Sequence, residues 1–182
     1  MKRFDRTPEG RVHVHTLSGM LHSNPGNFTV DYDHFAKVTQ MLTRDIREVE
    51  KVIRLAAFNI YACNQDDHSK NVALQMDKNG SWNVAPAYDL TFHRTTYSEH
   101  NMLLNGKGKP KEEDLIKFAQ IFGLTKQKAK AISEQVKDGV SKFKTLAVEC
   151  DMPKKLIKDV AQNISEKLSK KKSLGASLGR PS

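Results

Sequence analysis

Hydrophobic residues recur at intervals of three and four positions along several segments of this chain, which is the spacing of one buried helix face. The predicted helices cover about residues 32–42, 47–62, 112–122 and 154–168, and one more follows Thr125 and extends to Phe143. The last turns of the second segment are almost wholly apolar, so this helix is expected to be buried on most of its surface. Asp31 and Thr125 precede their helices and suit the N-cap position.

Alternating residues predict strands in two places. Residues 11–15 alternate between polar and apolar, and residues 72–76 and 82–84 flank the turn-forming sequence Asp-Lys-Asn-Gly. The second pair therefore predicts a β-hairpin. Residues 22–30 and 91–111 are rich in loop-forming residues. The predicted fold is α+β and mainly α-helical, with a small β-hairpin.

The loop after the buried helix carries a candidate active site. Asp66 and Asn71 lie in this loop, and Asp89 follows the hairpin, which folds the chain back toward the loop. Phosphoryl transfer needs a carboxylate that accepts the proton of the attacking hydroxyl, and oxygen ligands for the Mg²⁺ on the nucleotide phosphates. Mg²⁺ prefers carboxylate and amide oxygens. The pattern therefore predicts a phosphoryl-transfer site.

Neighbouring residues leave alternatives open. In protein kinases the catalytic Asp precedes the metal-binding Asn by five positions, which selects Asp66 over Asp67. Asp67 then either supports the site from behind or faces solvent, and His68 either contacts a phosphate or forms structural hydrogen bonds. An Asp-Asp-His loop is also common as turn or capping chemistry. His13 and His15 share one face of a strand, but a zinc site needs two further ligands.

Excess positive charge is confined to the C-terminal part of the chain. Residues 1–104 hold 12 basic and 12 acidic side chains, whereas residues 105–182 hold 18 basic and 9 acidic ones, which accounts for the net charge of +9. This part is either a set of solvated helix faces with a basic flexible tail, or a surface for nucleic acid or an acidic protein. Its lysines lack interleaved aromatic residues, so nothing in it predicts base recognition.

Several features together predict a cytoplasmic protein. No run of about 18 apolar residues is present to span a membrane, and the charged N-terminus lacks the apolar core of a secretory signal. Cys63 and Cys150 have no metal-ligand spacing, so both are expected to be buried, reduced thiols. Nucleophile-elbow, Walker and Rossmann glycine patterns are absent from the sequence.

Several motifs resemble the C-terminal half of HipA-family serine/threonine kinases. The most specific are Asp-Asp-His-x-Lys-Asn at 66–71 and Pro-Ala-Tyr-Asp-Leu at 86–90, and the segments 3–6 and 13–19 are similar as well. The Glu-His-Asn-Met stretch at 99–102 resembles one branch of that family. The resemblance covers roughly the first 150 residues.

This resemblance implies a protein-kinase-like C-lobe over residues 1–168. Its parts would be a hinge strand at 1–6, a catalytic loop and metal-binding segment at 63–90, and a helical subdomain at 112–168. A basic flexible tail would follow at 169–182.

The resemblance also implies roles for individual residues. Asp66 would be the proton acceptor, and Asn71 and Asp89 would be the metal ligands. Further nucleotide-binding positions would be His68, Ser69, Lys70 and Tyr88 along the phosphates, and Lys2, Arg3 and Phe4 in the hinge strand, whose backbone would bind the adenine. The family often has Glu in place of Lys2, a change that backbone recognition tolerates.

The resemblance further implies a toxin of a toxin–antitoxin pair that uses ATP and Mg²⁺. Known members phosphorylate a hydroxyl residue on an aminoacyl-tRNA synthetase and are restrained by a DNA-binding antitoxin, so an antitoxin of HipB type is the expected partner, with weak or indirect DNA contact. The phosphate-covering loop and strand lysine of a kinase N-lobe have no counterpart in this sequence. The active form is therefore expected to include an N-lobe encoded upstream or on a separate polypeptide. The alternative is a non-catalytic module that binds an antitoxin or DNA through residues 105–182.

Overall fold

A computed structural model describes residues 3–23 and 30–169 and has the predicted α+β architecture. The strands are β1 (Arg6–Thr7), β2 (Gly10–Arg11), β3 (His13–Thr16), β4 (Ala73–Met76) and β5 (Trp82–Val84). The helices are α1 (Leu17–Met20), α2 (Tyr32–Thr43), α3 (Ile46–Tyr61), α4 (Glu112–Ile121), α5 (Lys126–Ser141), α6 (Phe143–Glu149) and α7 (Lys154–Ser169). Lys2, most of the predicted 22–30 loop and nearly all of the predicted tail lie outside the described residues.

Helix α3 forms the centre of the core, as its apolar last turns predicted. It packs against α2, α4, α5 and α7. Its fully buried side chains are Val49, Val52, Ile53, Ala56 and Ala57. Burial of each large aliphatic side chain stabilises the fold by about 1.5–3 kcal/mol. This packing therefore fixes the position of the end of α3 and of the loop that follows it.

Polar caps explain where the helices begin. Asp31 accepts a hydrogen bond from the backbone N–H of His34 at the start of α2, and Thr125 does the same for Lys128 at the start of α5. Both predicted N-caps are therefore confirmed. Each cap satisfies a backbone donor that has no partner within its helix.

The helix predicted to extend from Thr125 to Phe143 is wrong at its end. α5 stops at Ser141 and a separate helix, α6, begins at Phe143. The backbone N–H of Lys142 donates to the carbonyl of Gly139, a tighter turn than that of an α-helix. Gly139 disfavours the helix just before this break, because its backbone loses the most freedom on ordering.

The predicted hairpin is confirmed, and it forms a three-stranded antiparallel sheet in the order β3-β4-β5. The strand predicted at 11–15 is interrupted at Val12. There the backbone N–H of Val12 donates to the carbonyl of Asp5. Before Val12 the chain pairs with β1 through β2, and after Val12 it pairs with β4 through β3. The first strands therefore lead directly from the predicted hinge to the sheet beside the candidate site.

Two further expectations have definite outcomes. Cys63 is buried as predicted, but Cys150 is exposed, because it lies in the turn that follows α6 rather than against the core. Within residues 3–23 and 30–169, the structure contains no helix with the length and apolarity needed to cross a bilayer.

Candidate active site

Asp66 and Asn71 lie together in a closed turn that follows α3. The side-chain amide of Asn71 donates to the backbone carbonyl of Asp66 over 3.1 Å, and its backbone N–H donates to the carbonyl of His68 over 2.8 Å. The Asp66 side chain is 43% exposed, so its carboxylate is accessible from solvent. The five-residue spacing therefore corresponds to a compact loop that presents the predicted base.

The start of α1 supports this loop from one side. The backbone N–H groups of Leu17 and Ser18 donate to the carbonyls of Val72 and Ser69, over 2.9 and 3.1 Å. Leu17 is fully buried, so the contact is anchored in the core. The chain that leaves β3 thereby holds both ends of the segment that carries Lys70 and Asn71.

The hairpin brings Asp89 to the same loop. The hydroxyl of Tyr88 donates to the backbone carbonyl of Lys70 over 2.7 Å. Asp89 directly follows Tyr88, and Asn71 directly follows Lys70. Asp89 is exposed and has a positive φ of 53°, a conformation that few residues other than glycine adopt. Burial raises the pKa of Tyr88, and the nearby Asp89 carboxylate adds to that shift, so Tyr88 stays a neutral donor.

The predicted hinge residues meet this segment at Tyr88. The ring of Phe4 stacks on the ring of Tyr88 with centroids 5.9 Å apart. Arg3 and Phe4 also line a cavity of about 300 Å³, together with residues 6–8. Phe4 and Tyr88 are therefore brought together next to the loop of Asp66, whereas the side chain of Arg3 pairs with Asp5 and Lys2 is outside the described residues.

His68 lies beside Asp66 but is not firmly paired with it. Its Nε2 is 3.9 Å from Oδ1 of Asp66, beyond hydrogen-bond distance. Its other ring nitrogen is buried and has no hydrogen-bond partner in the described part of the chain. The imidazole of His68 therefore has no hydrogen bond within the described residues, and its contact with a phosphate stays a prediction.

The donor chemistry at Asn71 and Asp89 fits Mg²⁺. Because Asn71 uses its amide N–H₂ on Asp66, its amide oxygen is the atom left to act as a ligand. Asp89 adds an exposed carboxylate. Over the described residues, no cluster of three or more His, Cys, Asp and Glu side chains is arranged to hold a metal. His13 and His15 therefore belong to no such cluster within these residues. A Mg²⁺ ion that keeps several waters and binds nucleotide phosphates needs only one or two protein ligands.

Asp67 is fully buried, so the solvent-facing alternative for this residue is wrong. Its side chain accepts hydrogen bonds from the hydroxyl of Tyr32 at 2.7 Å and from the backbone N–H of Asn101 at 2.9 Å. Nδ1 of His100 lies 2.8 Å from the same carboxylate. Asp67 therefore ties the loop that carries Asp66 to α2 and to the segment around residue 100.

Tyr32 acts as the buried donor in this group. Burial raises the pKa of Tyr32 well above its ordinary value, and the charge of Asp67 raises it further. The Tyr32 hydroxyl also accepts a hydrogen bond from the side chain of Asn59, over 2.8 Å. The neutral tyrosine is thus held in place to donate to Asp67.

Sequence reasoning missed Tyr32, Asn59, His100 and Asn101 as parts of this site. Tyr32 and Asn59 lie on amphipathic helices, where they are indistinguishable from ordinary core residues. The motif at 99–102 contributed to the family resemblance, but its spacing gives no indication of which loop it contacts. The one usable signal was Asp67 itself, an acidic residue placed directly after a buried helix.

Comparisons with known proteins concern the fold and the family of the chain. A solved structure, described as "Shewanella oneidensis MR-1 Toxin Antitoxin System HipA, HipB and its operator DNA complex", contains a chain similar to this one with a TM-score of 0.70 and 16% identity, over 93% of this chain and 47% of that one. At this identity the likeness concerns the fold alone, which is that of a chain in the HipA–HipB complex.

One relative by sequence is the protein "Putative kinase Y4dM" of Sinorhizobium fredii (strain NBRC 101917 / NGR234), which is 32% identical over 92 residues, 50% of this chain and 22% of that protein. The chain thus spans less than half the length of each of these two proteins. The sequence profile of the HipA-like C-terminal domain matches residues 1–167. The chain belongs to the HipA-like C-terminal domain family.

Proposed function

We propose that this chain is the catalytic half of an ATP- and Mg²⁺-dependent protein serine/threonine kinase, the toxin of a toxin–antitoxin pair. The observation that carries the proposal is the closed turn at the end of α3, in which Asn71 is tied to Asp66 and Tyr88 is tied to Lys70. These two bonds support the proposal, because they hold Asp66, Asn71 and the residue before Asp89 at one loop, and phosphoryl transfer needs a proton acceptor and metal ligands close together.

In this proposal Asp66 accepts the proton of the acceptor hydroxyl. One carboxylate oxygen, Oδ1, already accepts a hydrogen bond from the side chain of Asn101 at 3.2 Å. The other, Oδ2, has no hydrogen-bond partner among the described residues and is the atom available to the substrate. A carboxylate in this position contributes about 10²–10⁴-fold to such a reaction.

Asn71 and Asp89 would hold the metal, which when bound neutralises charge on the transferred phosphoryl group. His68, Ser69 and Lys70 would line the phosphates. The adenine would lie against the backbone of residues 2–4, next to the stacked rings of Phe4 and Tyr88. The phosphate-covering loop and the strand lysine are proposed to belong to an N-lobe outside this chain, which is supported by the greater length of the relatives.

We propose a DNA-binding antitoxin of HipB type as the partner and a cytoplasmic location. The structural neighbour, a complex of HipA, HipB and operator DNA by its description, supports this partner. An aminoacyl-tRNA synthetase is the proposed acceptor, by resemblance to the family.

The test is phosphate transfer from γ-labelled ATP by the full-length protein that contains this chain. Transfer should require Mg²⁺, and Asp89→Ala should lower it by about 10²-fold or more, since the metal charge is lost from the phosphates. Asp138→Ala, which removes an exposed carboxylate on α5, is the matched control and should retain full transfer. Transfer that is insensitive to chelation, or equal in the two variants, contradicts the metal assignment.

The second candidate is a non-catalytic module that binds an antitoxin or DNA through residues 105–182. It is favoured by exposed lysines on α5, α6 and α7 for which the described residues provide no ion pair, namely Lys126, Lys130, Lys144, Lys154, Lys155 and Lys158. Direct phosphate contacts would make DNA affinity fall steeply as salt rises. DNA binding that ignores salt, or no DNA binding at all, would exclude direct DNA contact by these residues.

A further inference from the structure

Asn101 contacts three consecutive residues of the catalytic loop. Its side-chain amide donates to the carbonyl of Gln65 at 3.0 Å and to Oδ1 of Asp66 at 3.2 Å. Its backbone N–H donates to Oδ1 of Asp67 at 2.9 Å. One residue, distant in sequence, therefore fixes both the backbone of this loop and the carboxylate that it presents.

The position of Asn101 is itself set by buried groups. The Asp67 side chain is completely shielded from solvent, and that of His100 is 1% exposed. A buried carboxylate is stable only when its lone pairs are satisfied, and Asp67 has Tyr32, His100 and Asn101 as its partners. Any shift of the Asn101 backbone would leave a buried charge short of a donor, so this backbone is held rigidly.

The consequence concerns the orientation of Asp66. Because Asn101 occupies Oδ1, it favours one rotamer of the Asp66 side chain and leaves Oδ2 free. A side chain that is 43% exposed would otherwise sample several rotamers in solvent. Effective proton acceptance requires the reacting oxygen to be held within hydrogen-bond reach of the acceptor hydroxyl.

We propose that Asn101 is a positioning residue for phosphoryl transfer, which sets the orientation of the Asp66 carboxylate and is itself held in place by the buried Asp67–His100–Tyr32 group. This inference rests on the proposed kinase function. It assigns to the segment around residue 100 a role in the reaction and not only in the stability of the fold.

The variants that test it are Asn101→Ala and the isosteric Asn101→Asp, made in the full-length protein. Both keep the backbone N–H that donates to Asp67, so the buried group should survive. Asn101→Ala only removes the side-chain donor, whereas Asn101→Asp also places a second carboxylate against Oδ1 of Asp66. Asn105→Asp is the matched control, because Asn105 lies in the same loop, is also half-buried, and donates through its side chain to a backbone carbonyl, that of Asp114, at 2.9 Å.

The kinetic result expected is a fall in kcat of about 10–100-fold for both Asn101 variants, with the KM for ATP changed by less than about twofold. Asn105→Asp should leave kcat within about twofold. If Asn101 had only a structural role, its variants would have a lower melting temperature and a smaller active fraction. The active molecules would then keep the wild-type kcat. Unchanged kcat in Asn101→Ala would overturn the inference.

Amide hydrogen exchange provides a readout that does not depend on activity. The backbone N–H groups of Gln65 and Asn71 donate to His93 and His68, so they report on the order of the loop. Their exchange should speed up by about tenfold in the Asn101 variants and stay unchanged in Asn105→Asp. Unaltered exchange at both amides would overturn the positioning role, whereas an inactive wild-type protein with faster exchange in the variants would count against the kinase proposal alone.

Discussion

Asp67 and His100 form a buried pair, with Oδ2 of the carboxylate 2.8 Å from Nδ1 of the imidazole. The residues are 33 positions apart in sequence, and neither side chain is more than 1% exposed. The backbone N–H of His100 also donates to the carbonyl of Gly108 over 2.8 Å, which connects the pair to the following loop. This contact joins the loop that carries Asp66 to the segment that contains Asn101, so the position of Asp66 depends on the core.

The first prediction concerns the hydroxyl of Tyr32. Tyr32→Phe removes a donor from the buried Asp67 carboxylate and should lower the free energy of unfolding by about 1–3 kcal/mol, because a buried charged acceptor loses a partner. The measurement is urea unfolding at neutral pH. Tyr97→Phe is the control, since Tyr97 is 78% exposed, and it should change stability by less than about 0.5 kcal/mol. Equal stability of the two variants would show that the Tyr32 hydroxyl is dispensable.

The buried group of Asp67, His100 and Tyr32 is a part of the structure that the sequence does not predict. The helices, their caps and the β4–β5 hairpin follow from local patterns, since each depends on residues a few positions apart. The spacing of Asp66 and Asn71 is local too. The burial of Asp67 was not predictable, because it depends on Tyr32 and His100, which reach it from distant segments. The end of α5 was predicted wrongly because the apolar spacing continues to Phe143 across the tighter turn that begins at Gly139.

The second prediction concerns acid stability and Asp114. Burial alone would raise the pKa of Asp114, but hydrogen bonds from Lys107 and from the backbone of Lys111 lower it below the ordinary 3.8. The folded protein therefore gains stability from ionised Asp114 above about pH 4, and loses it as pH falls through the lowered folded-state value. Asp114→Asn should cost about 1–3 kcal/mol at neutral pH, because a charged hydrogen-bond acceptor is removed.

Denaturant unfolding across the acid range checks this expectation. The difference between wild type and Asp114→Asn should shrink steadily as pH falls below the ordinary value of 3.8. Asp138→Asn should show almost no difference at any pH, because the ion pair between Asp138 and Lys142 is exposed. A difference for Asp114→Asn that does not depend on pH would mean that its charge is irrelevant.

The third prediction is a stabilising substitution at Gly139. This residue is exposed in α5, and a Cβ added there would meet nothing within 4 Å. Gly139→Ala should therefore raise the free energy of unfolding by about 0.5–1 kcal/mol, because alanine loses less backbone freedom in a helix. Thermal or urea unfolding measures the change. Gly123→Ala, where φ is +92°, should instead be destabilising, and a gain there would contradict the backbone argument.

The measurement that tests the central claim most directly is the single-turnover rate of phosphate transfer by Asp66→Asn in the full-length protein. The account predicts a fall of about 10²–10⁴-fold with ATP affinity unchanged, because the proton acceptor is lost while the proposed metal ligands Asn71 and Asp89 remain. Asp77→Asn, in the turn of the hairpin, should transfer phosphate at the wild-type rate. If Asp66→Asn transfers phosphate as fast as Asp77→Asn, Asp66 is not the base and the account of this site is wrong.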